Sequence, residues 1–314
     1  MKLGVVMDPI GSISVKKDST YAMLLAAQAR GWEIFYFELS DLLLRDGEVW
    51  GRGRRLTLTP GQATWYQFQT PAYTPLRQLD ILLMRKDPPV DQAYLYATQL
   101  LQWAEDSGVL VVNRPRALRE FNEKLFAARF PDLMPPTLVT ARSDELRTFL
   151  AAQQDIILKP LDGMGGRSIF RLRVGDPNVG VILETLTDHG QRYAMAQTFL
   201  PAIAEGDKRI LVVAGEPVPF ALARIPAPGE SRGNLAAGGH GEGRPLSASD
   251  YALCARVAPT LREHGILFAG LDVIGSKLTE INITSPTCIQ ELNHIYNLDI
   301  AGDLLTALEA QRRH

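Results

Sequence analysis

The sequence predicts a protein of mixed class, in which an α/β unit is followed by an α+β region. Two observations predict this. Up to Phe121, apolar segments of strand length alternate with helical segments, a pattern typical of a parallel sheet covered on both faces. From Tyr193 onward strand-like segments dominate. The length of 314 residues exceeds one ordinary core and favours more than one domain.

In the first part, two helices are predicted between apolar strands. The first helix begins at Asp18 or Ser19, both good N-caps, and stops at Gly31. A second helix is predicted over residues 91–105, and the weakly alternating residues 45–69 predict a β-hairpin excursion. The predicted strands cover residues 3–9, 32–38, 79–85 and 109–113. Charged clusters at Asp8 and at residues 85–89 follow two of these strands, where ligands of parallel sheets bind, although solvated loops would have the same composition.

A second unit is predicted to begin near Asn122, with a helix over residues 122–130 and a proline-rich break after it. Further helices are predicted over residues 143–153 and 302–312. The glycine-rich residues 226–243 have no apolar period, and a loop of that length is either disordered or a functional lid. Strands are predicted at residues 137–140, 155–160, 168–172, 193–200, 207–215, 216–225, 268–275 and 277–284.

Composition excludes several classes of protein. A net charge of −2 argues against nucleic acid as a partner, and there is no apolar run near the ~18 residues of a membrane span. The short apolar run at the N-terminus ends at Asp8-Pro9, which is not a signal-peptide pattern. Two cysteines are too few for a disulfide framework, so we expect a cytoplasmic protein.

The stretch "GLDVIGSKLTEINIT" predicts a metal site. Glu280 and Asn282 are two apart on a strand and leave the same face, and Asp272 lies on the preceding strand of a hairpin. A two-residue loop would pair Asp272 with Thr279, whereas a three-residue loop would pair it with Glu280. Two carboxylates and one amide are oxygen ligands suited to Mg²⁺. The alternative is a solvated strand face.

Several cations could meet phosphate beside this face. Lys159 ends a strand that looks buried, and the glycines of "DGMGG" could either form a turn or expose backbone amides to a phosphate. No P-loop or dinucleotide fingerprint is present. Ser285, Cys288 and His294 lie close in sequence but lack the spacing of a hydrolase triad. The further candidate cations are Lys124, Lys208, Arg209, Arg224 and, within the predicted lid, Arg232.

These residues, taken in order, resemble the ATP-grasp superfamily and, within it, the prokaryotic glutathione synthetases. The resemblance rests on "VMDPI", "LMRKDPP", "NEKLF", "ILKPLDGMGG", "GDKRILVV", "RGNLAAGG" and "LTEINITSPT", which together cover nearly the whole chain. It implies an ATP-grasp fold with a substrate domain over residues 1–121, a central lobe over 122–200, and a C-terminal lobe over 201–314 that carries a lid at 226–243.

The resemblance also implies roles for single residues. Phosphates, adenine and ribose of ATP would be bound by Lys124, Lys159, Gly163, Gly165, Gly166, Gln197, Phe199, Leu200 and Asp207. The metal ligands would be Asp272, Glu280 and Asn282. The acyl phosphate and the incoming amine would meet Arg209, Arg224, Arg232 and the turn Ser285, Pro286, Thr287. The dipeptide would meet Asp18 and Arg85.

The implied reaction is an ATP-dependent ligation of γ-glutamylcysteine to glycine, with two Mg²⁺ or Mn²⁺ ions and a homotetrameric enzyme. A carboxylate does not react with an amine at a useful rate, whereas an acyl phosphate does, and this chemistry depends on positioning and electrostatics rather than on an acid–base pair. The alternatives are another carboxylate–amine ligase, of the D-alanine–D-alanine or glutamate-adding type, and an ATP-binding regulatory protein with an inactive site.

Overall fold

The computed structural model describes residues 1–230, 232–233 and 238–312. Its first sheet has a parallel spine in which β1 (Lys2–Val6) lies between β2 (Glu33–Phe37) and β7 (Ile81–Met84). The strand β8 (Leu110–Val112) pairs with β7 in the same direction. The predicted parallel sheet and its four strands are confirmed.

Helices cover both faces of this parallel spine. Helix α1 (Ser19–Ala29) packs on the face of Leu3 and Leu83, and α2 (Gln92–Asp106) packs on the opposite face. Both helices begin at an aspartate N-cap, and Asp18 accepts a hydrogen bond from the Tyr21 amide. The strands are therefore apolar on both sides, as parallel sheets require.

The predicted hairpin excursion is an antiparallel extension of the same sheet. Its long strand β4 pairs with β2, and the three short strands pair with β4. The four strands are β3 (Leu42–Arg45), β4 (Glu48–Leu58), β5 (Tyr66–Phe68) and β6 (Ala72–Pro75).

A second sheet, in the middle of the chain, is antiparallel and has the strand order β11-β10-β12-β9. Helices α5 (Ser143–Gln153) and α6 (Val179–Thr187) pack with its strands in a separate core. The bounds of α5 are those predicted; α6 was not predicted, because its β-branched residues favour strands. The strands are β9 (Thr137–Thr140), β10 (Asp155–Pro160), β11 (Phe170–Arg173) and β12 (Ala194–Thr198).

The third sheet, near the C-terminus, has the order β15-β14-β13-β16-β17 and is antiparallel throughout. The prediction that residues 226–243 form one continuous loop is wrong at its end, because residues 240–243 pair with β14 as an edge strand. Residues 231 and 234–237 of the predicted lid lie outside the described residues. The strands are β13 (Asp207–Val213), β14 (Glu216–Ile225), β15 (His240–Pro245), β16 (Phe268–Ile274) and β17 (Lys277–Asn282).

Five further helices complete the described structure. The helix predicted over residues 122–130 is shorter than expected, because it ends at Ala127. The five are α3 (Pro115–Glu120), α4 (Glu123–Ala127), α7 (Ala248–Glu263), α8 (Ile289–Tyr296) and α9 (Ile300–Arg312). Within the residues that the structure describes, no helix is both long and apolar enough to span a membrane.

The N-terminal and C-terminal sheets share their hydrophobic cores. One cluster of buried residues joins Val6 and Leu82 to Leu271 and Ile281, and a second also contains residues of both sheets. The central sheet has its own core, so a cleft separates its open face from the C-terminal sheet. The domain bounds 1–121, 122–200 and 201–314 stay a prediction.

Asn113 connects the two sheets that share a core. Its side-chain amide donates to the carbonyls of Phe268 and Ile283, both at 2.7 Å. Its carbonyl accepts from the amides of Leu267 and Phe268, at 2.8 and 3.0 Å. The side chain is buried, and each of these four backbone groups needs a partner there.

We expect Asn113→Ala to lower the free energy of unfolding by about 3 kcal/mol or more, because it leaves several buried backbone groups without partners. Urea unfolding measures the change. Asn178→Ala is the matched control, since that asparagine is exposed and makes no side-chain cap bond. Equal midpoints for the two variants would contradict this role for Asn113.

Candidate functional site

A cleft lies between the central and C-terminal sheets and is lined by residues of both. Along β10, Ile156 and Leu158 point into the core of the central unit, so the alternate residues Ile157 and Lys159 line the cleft. Strands β12, β13, β16 and β17 supply the other walls. The sequence suggested that β10 is wholly buried. Because its side chains alternate between two faces, the strand presents Lys159 to the cleft.

Two buried lysines meet at one end of the cleft. The Lys124 ammonium donates to the Gly163 carbonyl at 2.7 Å and pairs with a Glu280 carboxylate oxygen at 2.8 Å. The Lys159 ammonium lies 3.5 Å from the Thr279 carbonyl. Burial lowers the pKa of Lys159, opposed by the charge of Glu280. Lysines are seldom buried without an anion, so this end of the cleft is suited to a polyanion.

The glycine loop after β10 needs its glycines for backbone reasons. Gly165 and Gly166 have φ values of +63° and +81°. A Cβ at Gly163 would lie 2.8 Å from the Pro160 ring. The Gly166 carbonyl accepts a hydrogen bond from Arg232 at 3.0 Å, so the glycine loop and the predicted lid touch. The loop therefore forms the predicted turn and also lines the cleft, and phosphate binding by its amides stays a prediction.

The link between β12 and β13 forms the opposite end of the cleft. Phe199 and Leu200 line it, and the Arg171 guanidinium lies 3.4 Å from the centre of the Phe199 ring. The buried Gln197 side chain donates to the Thr137 hydroxyl at 3.2 Å. This end is a mixed aromatic and apolar wall with one amide, as a flat heterocycle requires.

A network of four charges lies beside the cleft, in which the half-buried Asp207 and the buried Asp272 line the cleft and two buried arginines stand behind them. Arg209 on β13 stands directly opposite Asp272 on β16 and forms a two-point ion pair with it. Asp207 stands opposite Arg224 on β14, which also reaches Asp272 at 3.0 Å. The strand register thus brings each buried charge against an opposite one, which is the condition for burying them.

The two carboxylates of this network differ in their electrostatics. Burial raises the pKa of Asp207, although Arg224 opposes it. Burial also acts on Asp272, but Arg209 and Arg224 outweigh it and hold the pKa of Asp272 below its usual range. The second oxygen of Asp207, Oδ1, is buried without a partner among the described residues. Asp207 therefore keeps an acceptor for a ligand, and Asp272 stays ionised.

The structure brings the three predicted metal ligands to one face. The hairpin has a two-residue turn, since Ile274 pairs with Lys277, yet Asp272 pairs with Glu280 because a bulge absorbs one residue. Neither predicted loop alternative is therefore correct by itself. The Asn282 amide nitrogen donates to the Gly270 carbonyl at 3.2 Å, which leaves its oxygen for a ligand.

The oxygen ligands at this face fit a hard cation such as Mg²⁺ only in part. Glu280 and Asn282 supply oxygen ligands, whereas both oxygens of Asp272 already accept from arginines. A carboxylate has about four acceptor positions, so Asp272 keeps capacity for a metal. Within the described ranges there is no group of three or more His, Cys, Asp or Glu residues that could hold a metal. The predicted set contains only two such residues.

A second pocket adjoins the cleft and shares Met164 and Gly165 with it. Arg209, Arg224 and Asn282 line the second pocket. Its remaining walls come from the strand ends and helix starts of the N-terminal and C-terminal units, at Ser14, Lys17, Asp18, Asp87, Pro88, Glu123, Thr284, Ser285, Pro286, Thr287, Cys288 and Glu291.

Of the two residues expected to meet a dipeptide, only Asp18 lines this pocket. Arg85 is buried behind the wall, where its guanidinium donates to the Thr20 hydroxyl at 3.1 Å and to the Pro286 carbonyl at 2.9 Å. The burial of Arg85 lowers its pKa. Arg85 therefore holds the turn at Pro286 through this hydrogen bond, and Pro286 itself lines the pocket.

Several residues of this pocket were missed by the sequence analysis, among them Ser14, Lys17, Glu123 and Glu291. Glu123 accepts three bonds at one oxygen, from the amides of Ile283 and Thr284 and from the Thr284 hydroxyl. Its position beside Lys124 was the only available signal. Asp87, within the charged cluster at residues 85–89, accepts from the Ser285 hydroxyl. Thr284 lies at the end of the stretch that predicted the metal site, whereas Glu291 carried no signal, since its segment meets the pocket only after folding.

Cys288 and His294 do not share a site. The Cys288 thiol is buried in the second pocket, and burial raises its pKa. His294 lines a separate groove along α8. A buried thiol with a raised pKa is a poor nucleophile.

The fold and the two joined pockets define the class of protein. The structure superposes on the ATP-grasp ligase PsnB, solved with a minimal precursor, Mg and ADP, with a TM-score of 0.63, 18% identity, and coverage of 99% of this chain and 98% of that one. It superposes on D-cycloserine synthetase DcsG with a TM-score of 0.68, 14% identity, and coverage of 99% and 100%. The fold is the ATP-grasp fold, which confirms the predicted fold class.

Sequence comparison narrows the class to one family. Residues 1–119 match the model of the prokaryotic glutathione synthetase N-terminal domain, and residues 123–297 match that of the ATP-grasp domain of the same family. Glutathione synthetases of Photorhabdus laumondii and Vibrio cholerae are each 59% identical, over 98% of this chain and 98% and 97% of theirs. That of Escherichia coli is 57% identical over 99% of this chain and 98% of its own. The chain belongs to the prokaryotic glutathione synthetase family.

We expect Arg224→Met to lower the free energy of unfolding by about 3–5 kcal/mol, because it leaves Asp207 and the buried Asp272 with one arginine between them. Urea unfolding measures the loss. Arg142→Met is the control, since Arg142 pairs with Asp144 on the surface and its loss should leave the midpoint unchanged. A stability of the Arg224 variant equal to that of the control would refute the buried network.

Proposed function

We propose that this chain joins γ-L-glutamyl-L-cysteine to glycine, with ATP hydrolysed to ADP and phosphate, as the last step of glutathione biosynthesis. The observation that carries this is the junction of the two pockets, which share Met164 and Gly165, with Asp207 and Asp272 lining the cleft and their partners Arg209 and Arg224 lining the second pocket. A nucleotide in one pocket and a carboxylate in the other would meet there. The names of the relatives at 57–59% identity support the same reaction.

In this proposal ATP occupies the cleft. Adenine lies against Phe199 and Leu200 near Gln197, and the unpartnered oxygen of Asp207 accepts from a ribose hydroxyl. The triphosphate lies at the other end, where Lys124 and Lys159 supply charge. The amides of Gly163, Gly165 and Gly166 then close over the phosphates.

Mg²⁺ is the proposed metal, and Glu280, Asn282 and Asp272 are the residues that would hold it. The neighbour PsnB was solved with Mg and ADP, and the donor atoms here are oxygens, as Mg²⁺ prefers. When bound, the metal would neutralise phosphate charge during phosphoryl transfer. Two ions, and Mn²⁺ as a substitute, are part of the proposal.

The arginines act on the reacting groups. The cysteine carboxylate of the dipeptide attacks the γ-phosphorus of ATP, ADP leaves, and an acyl phosphate forms. The glycine amine then attacks the acyl carbon and expels phosphate. Arg209 and Arg224 lie where both steps place negative charge, and Arg232, already bonded to the glycine loop, closes the cleft against water.

The turn at Ser285, Pro286 and Thr287 completes the acceptor side of the pocket, with Asp18 opposite. Arg85 contributes by holding Pro286 in place. A homotetramer in the cytoplasm completes the proposal. The family match and the full-length relatives argue against a D-alanine–D-alanine or glutamate-adding ligase, and the presence of every proposed ligand argues against an inactive site.

A coupled assay of ADP release tests the substrate assignment. We expect continuous ADP release that requires both γ-glutamylcysteine and glycine, because the dipeptide forms the acyl phosphate and only glycine consumes it for a further turnover. D-alanine and glutamate serve as control substrates. Turnover with D-alanine but none with γ-glutamylcysteine plus glycine would refute the assignment.

We expect Glu280→Gln to lower kcat by about 100-fold or more, because it removes a charged ligand that acts on the transferred phosphoryl group. The unfolding midpoint should move far less than for Arg224→Met, since Glu280 lies at a partly exposed face. Glu242→Gln, on the exposed edge strand β15, is the control. Parallel losses of activity and of stability would assign Glu280 a structural role instead.

A further inference from the structure

Arg171 lies at the aromatic end of the cleft, and the proposed reaction does not use it. It stands directly opposite Ile157 on the neighbouring strand, so both side chains leave the same face of the central sheet. Ile157 and Phe199 line the cleft, whereas Arg171 lies outside it. Arg171 is therefore placed at the rim of the cleft, next to the wall that Phe199 forms.

The Arg171 guanidinium covers one face of the Phe199 ring. Its central carbon, Cζ, lies 3.4 Å from the centre of the ring, and a distance this short is possible only above the ring face. Since Phe199 lines the cleft and Arg171 does not, the ring offers its other face to a ligand.

Asp155 holds both partners of this contact. Its two carboxylate oxygens accept from Nε and Nη2 of Arg171, at 2.9 and 2.6 Å. Its backbone carbonyl accepts from the Phe199 amide at 2.9 Å. Because the guanidinium is planar, the two-point pair fixes the plane in which it lies. The hydrogen bond from Arg171 lowers the pKa of Asp155, so the carboxylate stays charged near neutral pH.

The Phe199 ring is half-buried, so its own packing restrains it only in part. A side chain of this kind can occupy more than one staggered rotamer, and ordering it when a ligand binds costs free energy. A guanidinium stacked on the ring lowers this cost, because it holds the ring in one orientation before the ligand arrives.

A second arginine separates the ion pair from the stacking contact. Arg173 also pairs with Asp155, at 3.2 Å, but its side chain is 63% exposed, against 29% for Arg171. In the described part of the chain, the cation on the Phe199 ring comes from Arg171. The ion pair with Asp155 is thus common to both arginines, whereas the contact with the ring is particular to Arg171.

We propose that Arg171, held by Asp155, positions the Phe199 ring to stack on the adenine of ATP, an assignment that rests on the proposed function. Arg171 is a positioning residue, because it acts through Phe199 and does not itself line the cleft. It contributes to the affinity for the base and not to the affinity for the phosphates, whose lysines lie at the other end of the cleft.

The test compares ADP with inorganic tripolyphosphate, since both carry a phosphate chain and only ADP carries adenine. Calorimetric titration measures both Kd values, with Mg²⁺ present. We expect Arg171→Met to raise the Kd for ADP and the KM for ATP about 3- to 10-fold, because the cation stacked on the ring is lost. The Kd for tripolyphosphate and the KM values for γ-glutamylcysteine and glycine should change less than about twofold.

Three further variants make the result decisive. Arg173→Met is the matched control, since it removes the other arginine from the same carboxylate, and it should leave both Kd values unchanged. Arg171→Lys should bind ADP with intermediate affinity, because an ammonium keeps the charge but cannot form the planar two-point pair. The same variant keeps the test conclusive if Arg171→Met does not fold. Asp155→Asn should weaken ADP binding as Arg171→Met does, since the guanidinium loses the charge that orients it.

Other outcomes would overturn the assignment. Equal losses of affinity for ADP and tripolyphosphate would show that Arg171 does not act through the base. An equal effect of Arg173→Met would assign the loss to the ion pairs of Asp155 alone. Tighter binding of ADP to Arg171→Met would mean that the guanidinium occupies the place of adenine. If the Kd values change as expected but the unaltered protein releases no ADP with γ-glutamylcysteine and glycine, the proposed function fails and the role of Arg171 stands.

Discussion

The buried pairing of Arg209 with Asp272 is the interaction on which the rest of the site depends. Burying these two charges together with Asp207 and Arg224 is unfavourable unless each finds its partner, and only one strand register provides that. A slip of one residue would turn every side chain of a strand to the other face. The network therefore specifies the C-terminal sheet and a wall of both pockets at once.

Asn113 and Glu123 are among the polar residues that connect this sheet to the rest of the molecule. Asn113 satisfies four backbone groups between the N-terminal and C-terminal sheets. One carboxylate oxygen of Glu123 accepts three hydrogen bonds from Ile283 and Thr284, which directly follow β17. Glu123 is the neighbour of Lys124, which lines the cleft. The central unit has a separate core, so its sheet faces the C-terminal sheet across a space. That division of the cores produces a cleft able to hold a nucleotide between two sheets.

Local patterns predicted most of the elements and much of the site. Alternation along β10, the caps of α1 and α2, and the spacing of Glu280 and Asn282 depend on short-range chemistry, so they could be read directly. The edge strand β15 could not, because its glycines carry no strand preference and it forms only by pairing with β14. The bulge that sets Asp272 against Glu280 is likewise a property of the paired strands. The place of Arg85 behind Pro286 depends on a contact between residues 201 positions apart.

The sequence by itself determined the class of the fold and the chemical types of the charged and polar groups that line the pockets, because these follow from periodicity and from motifs of adjacent residues. Only the tertiary structure decided which charges neutralise one another, which oxygens of Asp207 and Glu291 have no partner among the described residues, and that two pockets meet at Gly165. The reason is physical. Hydrogen bonding and burial depend on distances between segments far apart in the chain, and those distances exist only after the three sheets have packed.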